Sequence, residues 1–135
     1  MVVVGDVFFL RCTLCNPPKN KFFVVALAAP LKFFLINSAL TQYQQQRRDH
    51  VAAQARIFAA EHEFLDHDSF VGCDWLSHEY DLDALISSVE ASARYRKVGV
   101  LTDNARMSVA AALVGNVHIS RKYLRPLIEQ WGAAG

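Results

Sequence analysis

The stretch FFVVALAAPLKFFLIN, residues 22–37, decides how this chain folds. It contains the longest apolar tract of the sequence, and Pro30 and Lys32 interrupt it. It therefore reads as two short strands and a turn, because proline cannot donate to a central ladder. Phe22–Ala29 is a continuous apolar run of strand length, the pattern of a strand buried on both faces. Ala29-Pro30 turns the chain, and Leu31–Asn37 returns as the next strand.

On the N-terminal side, Asp6–Cys12 reads as a strand with Gly5 before it. Thr13–Lys21 (TLCNPPKNK) reads as a loop, since Asn16-Pro17-Pro18 cannot continue a ladder. On the C-terminal side the character changes. Leu40–His62 is rich in Gln, Ala and Arg, and Tyr43, Val51, Ala55 and Phe58 predict a helix over Gln45–Glu61. Glu63–Leu76 has β-like composition around Phe64, Phe70, Val71 and Trp75.

Asp81–Arg94 is expected to be a helix with an acidic start, packing through Leu82, Leu85, Ile86 and Val89. Arg96–Leu101 is a short strand. Thr102 or Asp103 then caps a helix through Leu113, with Met107, Ala110, Ala111 and Val114 facing inward and Gly115 at its end. Ser120 caps a last helix, and Pro126 predicts a kink or a restart there. The sum is one α+β domain over residues 1–135, strands first and helices after.

Composition sets the broad class. The 135 residues are 53% hydrophobic and 20% charged, a globular balance. The net charge of +1 is uninformative as a total, and with no strong basic excess any phosphate-binding surface must be local. The opening MVVVGDVFFL lacks a basic segment and a small-residue cleavage site, and Gly5 and Asp6 interrupt it, so it does not read as a signal peptide. No stretch approaches the roughly 20 apolar residues of a membrane span. Three cysteines without an export signal predict reduced thiols and a cytoplasmic location.

Three groups of residues can carry chemistry. The densest is His62–Glu79, where His67, Asp68, Asp74 and His78 offer the imidazole and carboxylate ligands that Zn, Mn or Fe accept. The same residues suit a surface turn. Cys12 and Cys15 form a CxxC that, with Cys73 and a histidine, has the ligands of a structural zinc site. A redox role would need a lowered thiol pKa, and the plain alternative is packing.

The third group is basic and polar: Lys19 and Lys21 in the first loop, then Ser38, Thr41, Gln42, Arg47, Arg48 and His50. At strand ends such residues can hold a phosphodiester and stabilise a pentacovalent phosphorane. The 2′-hydroxyl of RNA would be the internal nucleophile, with His50, Ser38 or Thr41 moving protons.

The order of segments adds a resemblance. The chain opens Gly5-Asp6-Val7-Phe8, re-enters as Lys21-Phe22-Phe23-Val24-Val25, and ends a third strand in Asn37-Ser38. Later come Asp68-Ser69-Phe70-Val71-Gly72-Cys73-Asp74, then Lys97-Val98-Gly99-Val100-Leu101-Thr102 leading into a helix. This resembles the MazF/PemK family of toxin endoribonucleases across residues 5 to about 113.

The resemblance implies an SH3-like small β-barrel with appended helices. It also implies cleavage of single-stranded RNA with no metal or cofactor, a homodimer, and a cognate antitoxin protein as partner. It maps the family's catalytic hydroxyl to Ser38, with Thr41 as neighbour, and its basic loop residue to Lys21. Where the family carries Arg-Pro, this chain reads Asn20-Lys21-Phe22, and Lys21 lacks the bidentate fork of a guanidinium.

The resulting expectation is that Lys21, Ser38 and Thr41 are catalytic, with Lys19, Arg47, Arg48 and His50 as RNA contacts. The alternatives are an inactive interaction module on the same barrel, or a metal-dependent hydrolase using the His67–His78 cluster.

Overall fold

A computed structural model of the chain describes residues 2–13, 15–92 and 95–132. Among the described residues six strands form: β1 (Asp6–Cys12), β2 (Lys19–Ala28), β3 (Leu31–Asn37), β4 (Gln54–Ile57), β5 (Ser69–Gly72) and β6 (Arg96–Val100). They form one sheet in the order β4-β5-β3-β2-β1-β6, and every ladder is antiparallel. The strands expected at Asp6–Cys12 and Leu31–Asn37 form at those bounds, while β2 begins at Lys19, inside the expected loop.

Neighbouring residues of a strand point to opposite faces, and here both faces are buried. Val7, Val24, Ala26 and Phe34 join one core with Val109, Leu113, Leu127 and Trp131 of α4 (Asp103–Leu113) and α5 (Arg121–Trp131). Phe8, Phe23, Val25 and Phe33 join the other with Leu85 of α3 (Leu82–Ala91). A register shift between Val25 and Leu27 turns Leu27 into the first core beside Ala26. Each fully buried side chain of this size is worth about 1.5–3 kcal/mol. Sheet and helices together therefore make a mixed α/β domain.

Several expectations need correction. β4 and β6 are the two edges of an open sheet, so the ladders do not close into a barrel. The helix expected over Gln45–Glu61 is instead α1 (Gln42–Gln45), α2 (Arg48–Ala52), strand β4 and a 3-10 turn at Ala59–Glu61. Ala53, Ala55 and Ile57 are buried at alternate positions, a period of two that pairs with β5. Of the β-like Glu63–Leu76 only Ser69–Gly72 is a strand.

Helix α4 buries Ala105, Val109, Ala112 and Leu113, an i, i+4, i+7, i+8 stripe, and leaves Met107 and Val114 outside. Thr102 caps it by accepting from the Ala105 N–H at 3.2 Å. In α3 only Leu85 is buried, with Leu82 and Ile86 exposed, and the end expected at Arg94 lies outside the described residues. Helix α5 starts after Ser120, whose side chain makes no cap bond, and runs through Pro126 without a restart. The backbone donor missing at Pro126 is offset by burial of Leu127 and Trp131, whose Nε1 donates to the Ala26 carbonyl at 2.9 Å. Among the described residues no helix is long and apolar enough to cross a membrane.

Candidate functional site

Antiparallel pairing sets the start of β2 beside the end of β3, and the end of β3 beside the start of β5. A cleft of about 420 Å³ opens there, lined by Phe9, Lys19, Asn20, Lys21, Phe22, Ile36, Asn37, Ser38, Ala39, Leu65, Asp66, His67 and Ser69. Lys19 and Lys21 are two apart on β2, so they share a face. The Lys21 ammonium donates to Asn37 Oδ1. Burial lowers the Lys21 pKa below the usual lysine value, and the Lys19 charge pushes the same way.

Ser69 is buried, and its hydroxyl lies 3.3 Å from His67 Nδ1 while donating to the His67 carbonyl at 3.1 Å. With Nδ1 engaged, Nε2 is the His67 nitrogen available to exchange a proton. Phe9 and Phe22 give the cleft an aromatic wall, with ring centroids 5.2 Å apart, and the Arg96 guanidinium stands 5.6 Å from the Phe9 ring.

The structure divides the residues expected to act together. Lys19, Lys21 and Ser38 line one cleft, and His67 and Asp66 join them. Thr41 does not. It forms a capping box on α1, accepting from Gln44 N–H at 3.1 Å while Gln44 Oε1 accepts from the Thr41 N–H at 2.9 Å. Arg47 lays its guanidinium 3.5 Å from the centre of the Tyr43 ring and donates to the Tyr43 carbonyl. Arg48 is exposed at the first position of α2, and none of these three lines the cleft.

His50 belongs to a second group. Its Nδ1 lies 2.8 Å from Asp74 Oδ2, its ring packs on His118 at a tilt of 37° with centroids 4.1 Å apart, and Tyr43 meets it edge-on. Burial pushes the Asp74 carboxyl up, yet hydrogen bonds from His50, Gln44 and Gln54 outweigh this and hold it below the ordinary aspartate value. Gly72 separates this group from the cleft. A Cβ there would stand 3.2 Å from Asn37 Nδ2 and 3.3 Å from Asp74 Oδ1. Asn37 thus touches Lys21 on one side and faces Asp74 across Gly72 on the other.

The metal readings of the sequence take a different form. The residues of His62–Glu79 do not converge. His62 is buried, with Nδ1 on the Phe58 carbonyl and Nε2 accepting from the Thr102 N–H. Asp68 accepts from Ala59 N–H and pairs with Arg56, while His78 stacks on Tyr80. Among the described residues the metal-capable side chains that come together are Asp49, His50 and His118, so the His67–His78 cluster does not form a ligand set.

Cys73 lies in one core and Cys12 in the other, on opposite faces of the sheet, which removes the zinc site expected from the CxxC. Burial pushes the Cys15 thiol up, and the neighbouring Cys12 adds to it, the reverse of an activated redox cysteine.

His67 was visible in the sequence as a reactive side chain, but its company was not. No residue between it and Lys21 signals that β5 lies beside β3. Nothing local in the sequence marks His118, since a lone histidine in Asn116-Val117-His118 carries no pattern. Compared with models of known protein families and with curated protein sequences, the chain matches none.

Proposed function

We propose that the cleft between the starts of β2 and β5 and the end of β3 binds single-stranded RNA and cleaves it without a metal. On this reading the chain is a MazF/PemK-like module whose small barrel has opened into a sheet. The observation that carries it is the convergence of Lys19, Lys21, Ser38 and His67 on one cleft. A phosphodiester suits the two ammonium groups, and a neighbouring base suits the Phe9 and Phe22 rings.

The chemistry balances within the cleft. His67 Nε2 removes the proton of the 2′-hydroxyl, and the 2′-oxygen attacks phosphorus. Lys19 and Lys21 stabilise the charge of the phosphorane. The bond to the 5′-oxygen breaks, and the Lys21 ammonium, made more acidic by burial, protonates that oxygen. The products are a 2′,3′-cyclic phosphate and a 5′-hydroxyl. Ser38 orients the phosphate. The resemblance supplies the partners of this reading: a cognate antitoxin and a second copy of the chain.

The test is cleavage of a short single-stranded RNA in EDTA. Purified protein should cut it, the Lys21→Ala, Ser38→Ala double variant should be inactive, and His67→Gln should lose about 10²–10⁴-fold. Full activity in the double variant sinks the assignment. A second reading, an inactive interaction module, draws on Asn20-Lys21-Phe22 at the place of the family's Arg-Pro. It predicts that RNA is held but not cut, and that a protein partner co-purifies.

A further inference from the structure

We infer that Asp49, His50 and His118 form a zinc site, distinct from the RNA cleft. One ligand atom from each lies within 4.8 Å of the others. Two imidazoles and a carboxylate are the donor set of an open tetrahedral zinc centre, with the fourth position left to water or a ligand. His118 Nε2 and Asp49 Oδ2 are 3.3 Å apart. Bonds of about 2.0–2.1 Å in tetrahedral geometry give an edge of about 3.3 Å between ligand atoms.

The two atoms are near each other, yet His118 Nε2 is buried and makes no hydrogen bond. Its polar neighbour is the Asp49 carboxylate at ion-pair distance but outside hydrogen-bond geometry, and a cation between the two atoms would be ligated by both.

The surroundings hold the ligands in place. Asp74 Oδ2 takes the Nδ1 side of His50 at 2.8 Å, which leaves Nε2 as the coordinating nitrogen, the carboxylate–histidine arrangement that supports bound zinc. Gln44 donates to the same Asp74 oxygen at 2.9 Å and fixes the carboxylate. The loop bearing His118 is pinned by Asn116, whose Oδ1 accepts from the His118 and Ile119 N–H groups. The Asn116 amide also donates to the Cys73 carbonyl at 2.8 Å, one residue from Asp74. Supporting residues and ligands therefore share one rigid frame. Asp49 is half exposed, which gives an ion its path from solvent.

The experiment titrates the metal-stripped full chain with ZnCl2 against a chromophoric zinc chelator, and with CoCl2 by visible absorption. One zinc per chain is expected, and cobalt should give the intense bands of a tetrahedral site. His50→Ala and His118→Ala should each weaken zinc by at least about tenfold, and Asp74→Asn, a positioning change, by about 10–100-fold. Asp49→Asn, on an exposed residue, reports on the site even where the histidine variants unfold, and should also weaken zinc by at least about tenfold. The proposal is overturned if the wild-type chain binds no stoichiometric zinc. It is equally overturned if Asp49→Asn and the folded histidine variants bind as the wild type does, or if His67→Ala, His78→Ala abolishes binding instead.

Discussion

Asn37 and Asp74 approach the same point above Gly72, where a Cβ would lie 3.2 Å from one side chain and 3.3 Å from the other. The absence of a side chain at Gly72 is what lets the group holding Lys21 and the group holding His50 stand back to back. Gly72→Ala should therefore push both apart, costing about 1–2 kcal/mol by overpacking. Urea unfolding gives the cost, and NMR of the His50 ring and the Lys21 Nζ should show both signals shifted. Shifts confined to one of them would break the connection.

Lys21 should make stability depend on pH. Burial disfavours its ammonium, so its pKa in the folded chain lies below the 10.5 of an ordinary lysine. Between those two values the unfolded chain binds more protons, and this group makes stability rise as pH rises through that window. Lys21→Met removes the effect. The stability difference between wild type and Lys21→Met, from urea titrations across that alkaline window, should move in the wild type's favour as pH increases. A difference independent of pH would mean that Lys21 titrates as a free lysine.

Gly5 adopts φ +93°, and a Cβ on it would meet Arg106 Nη1 at 2.2 Å. The Arg106 guanidinium is itself held by the Val4 carbonyl at 2.8 Å and faces the Trp131 ring. Gly5→Ala combines a disfavoured backbone with a clash, and should lose about 1–3 kcal/mol. Adding Arg106→Ala should relieve the clash and leave the backbone strain, so the two changes will not add. Calorimetric melting of both singles and the double checks this. Strict additivity would remove Arg106 from the explanation.

The three thiols should react in order of exposure. Cys15 is partly exposed, while Cys12 and Cys73 are buried, and burial raises the Cys73 pKa far above the ordinary thiol range. A slow alkylating agent on the native chain should label Cys15 first, as mass spectrometry of peptides will show. Cys73 should be labelled only on unfolding. Early labelling of Cys73 would mean that its strand end opens.

Most of the sheet was legible because its signals are local. Phe22–Ile36 carries its own length, apolarity and turn, and β1 and β3 begin and end where the sequence says. β4 was hidden because its buried residues are Ala53, Ala55 and Ile57. Alanine suits a helix equally well, and only pairing with β5 chooses the strand. The face of α4 was not legible because its four alanines and Ser108 look alike until α5 and β4 cover one side. In the cleft, Lys21 and Ser38 were legible from their place at strand ends. His67 needed the β3–β5 ladder, and His118 needed the whole fold.

Gly5-Asp6-Val7 and Lys97-Val98-Gly99-Val100, far apart in sequence, are neighbours in the β1–β6 ladder, and Lys97 reaches the buried Asp6 carboxylate at 3.3 Å.

An open sheet leaves two rows of backbone groups without a strand beside them, and such rows invite stacking into fibres. This chain is guarded at both ends. β4 is only four residues long, with Arg56 outward and α4 packed against it, and β6 carries Arg96 and Lys97 beside a register shift. Charge, shortness and irregularity are the features that stop one molecule from templating the next. The open sheet can thus expose the cleft at its strand ends while resisting polymerisation along its sides.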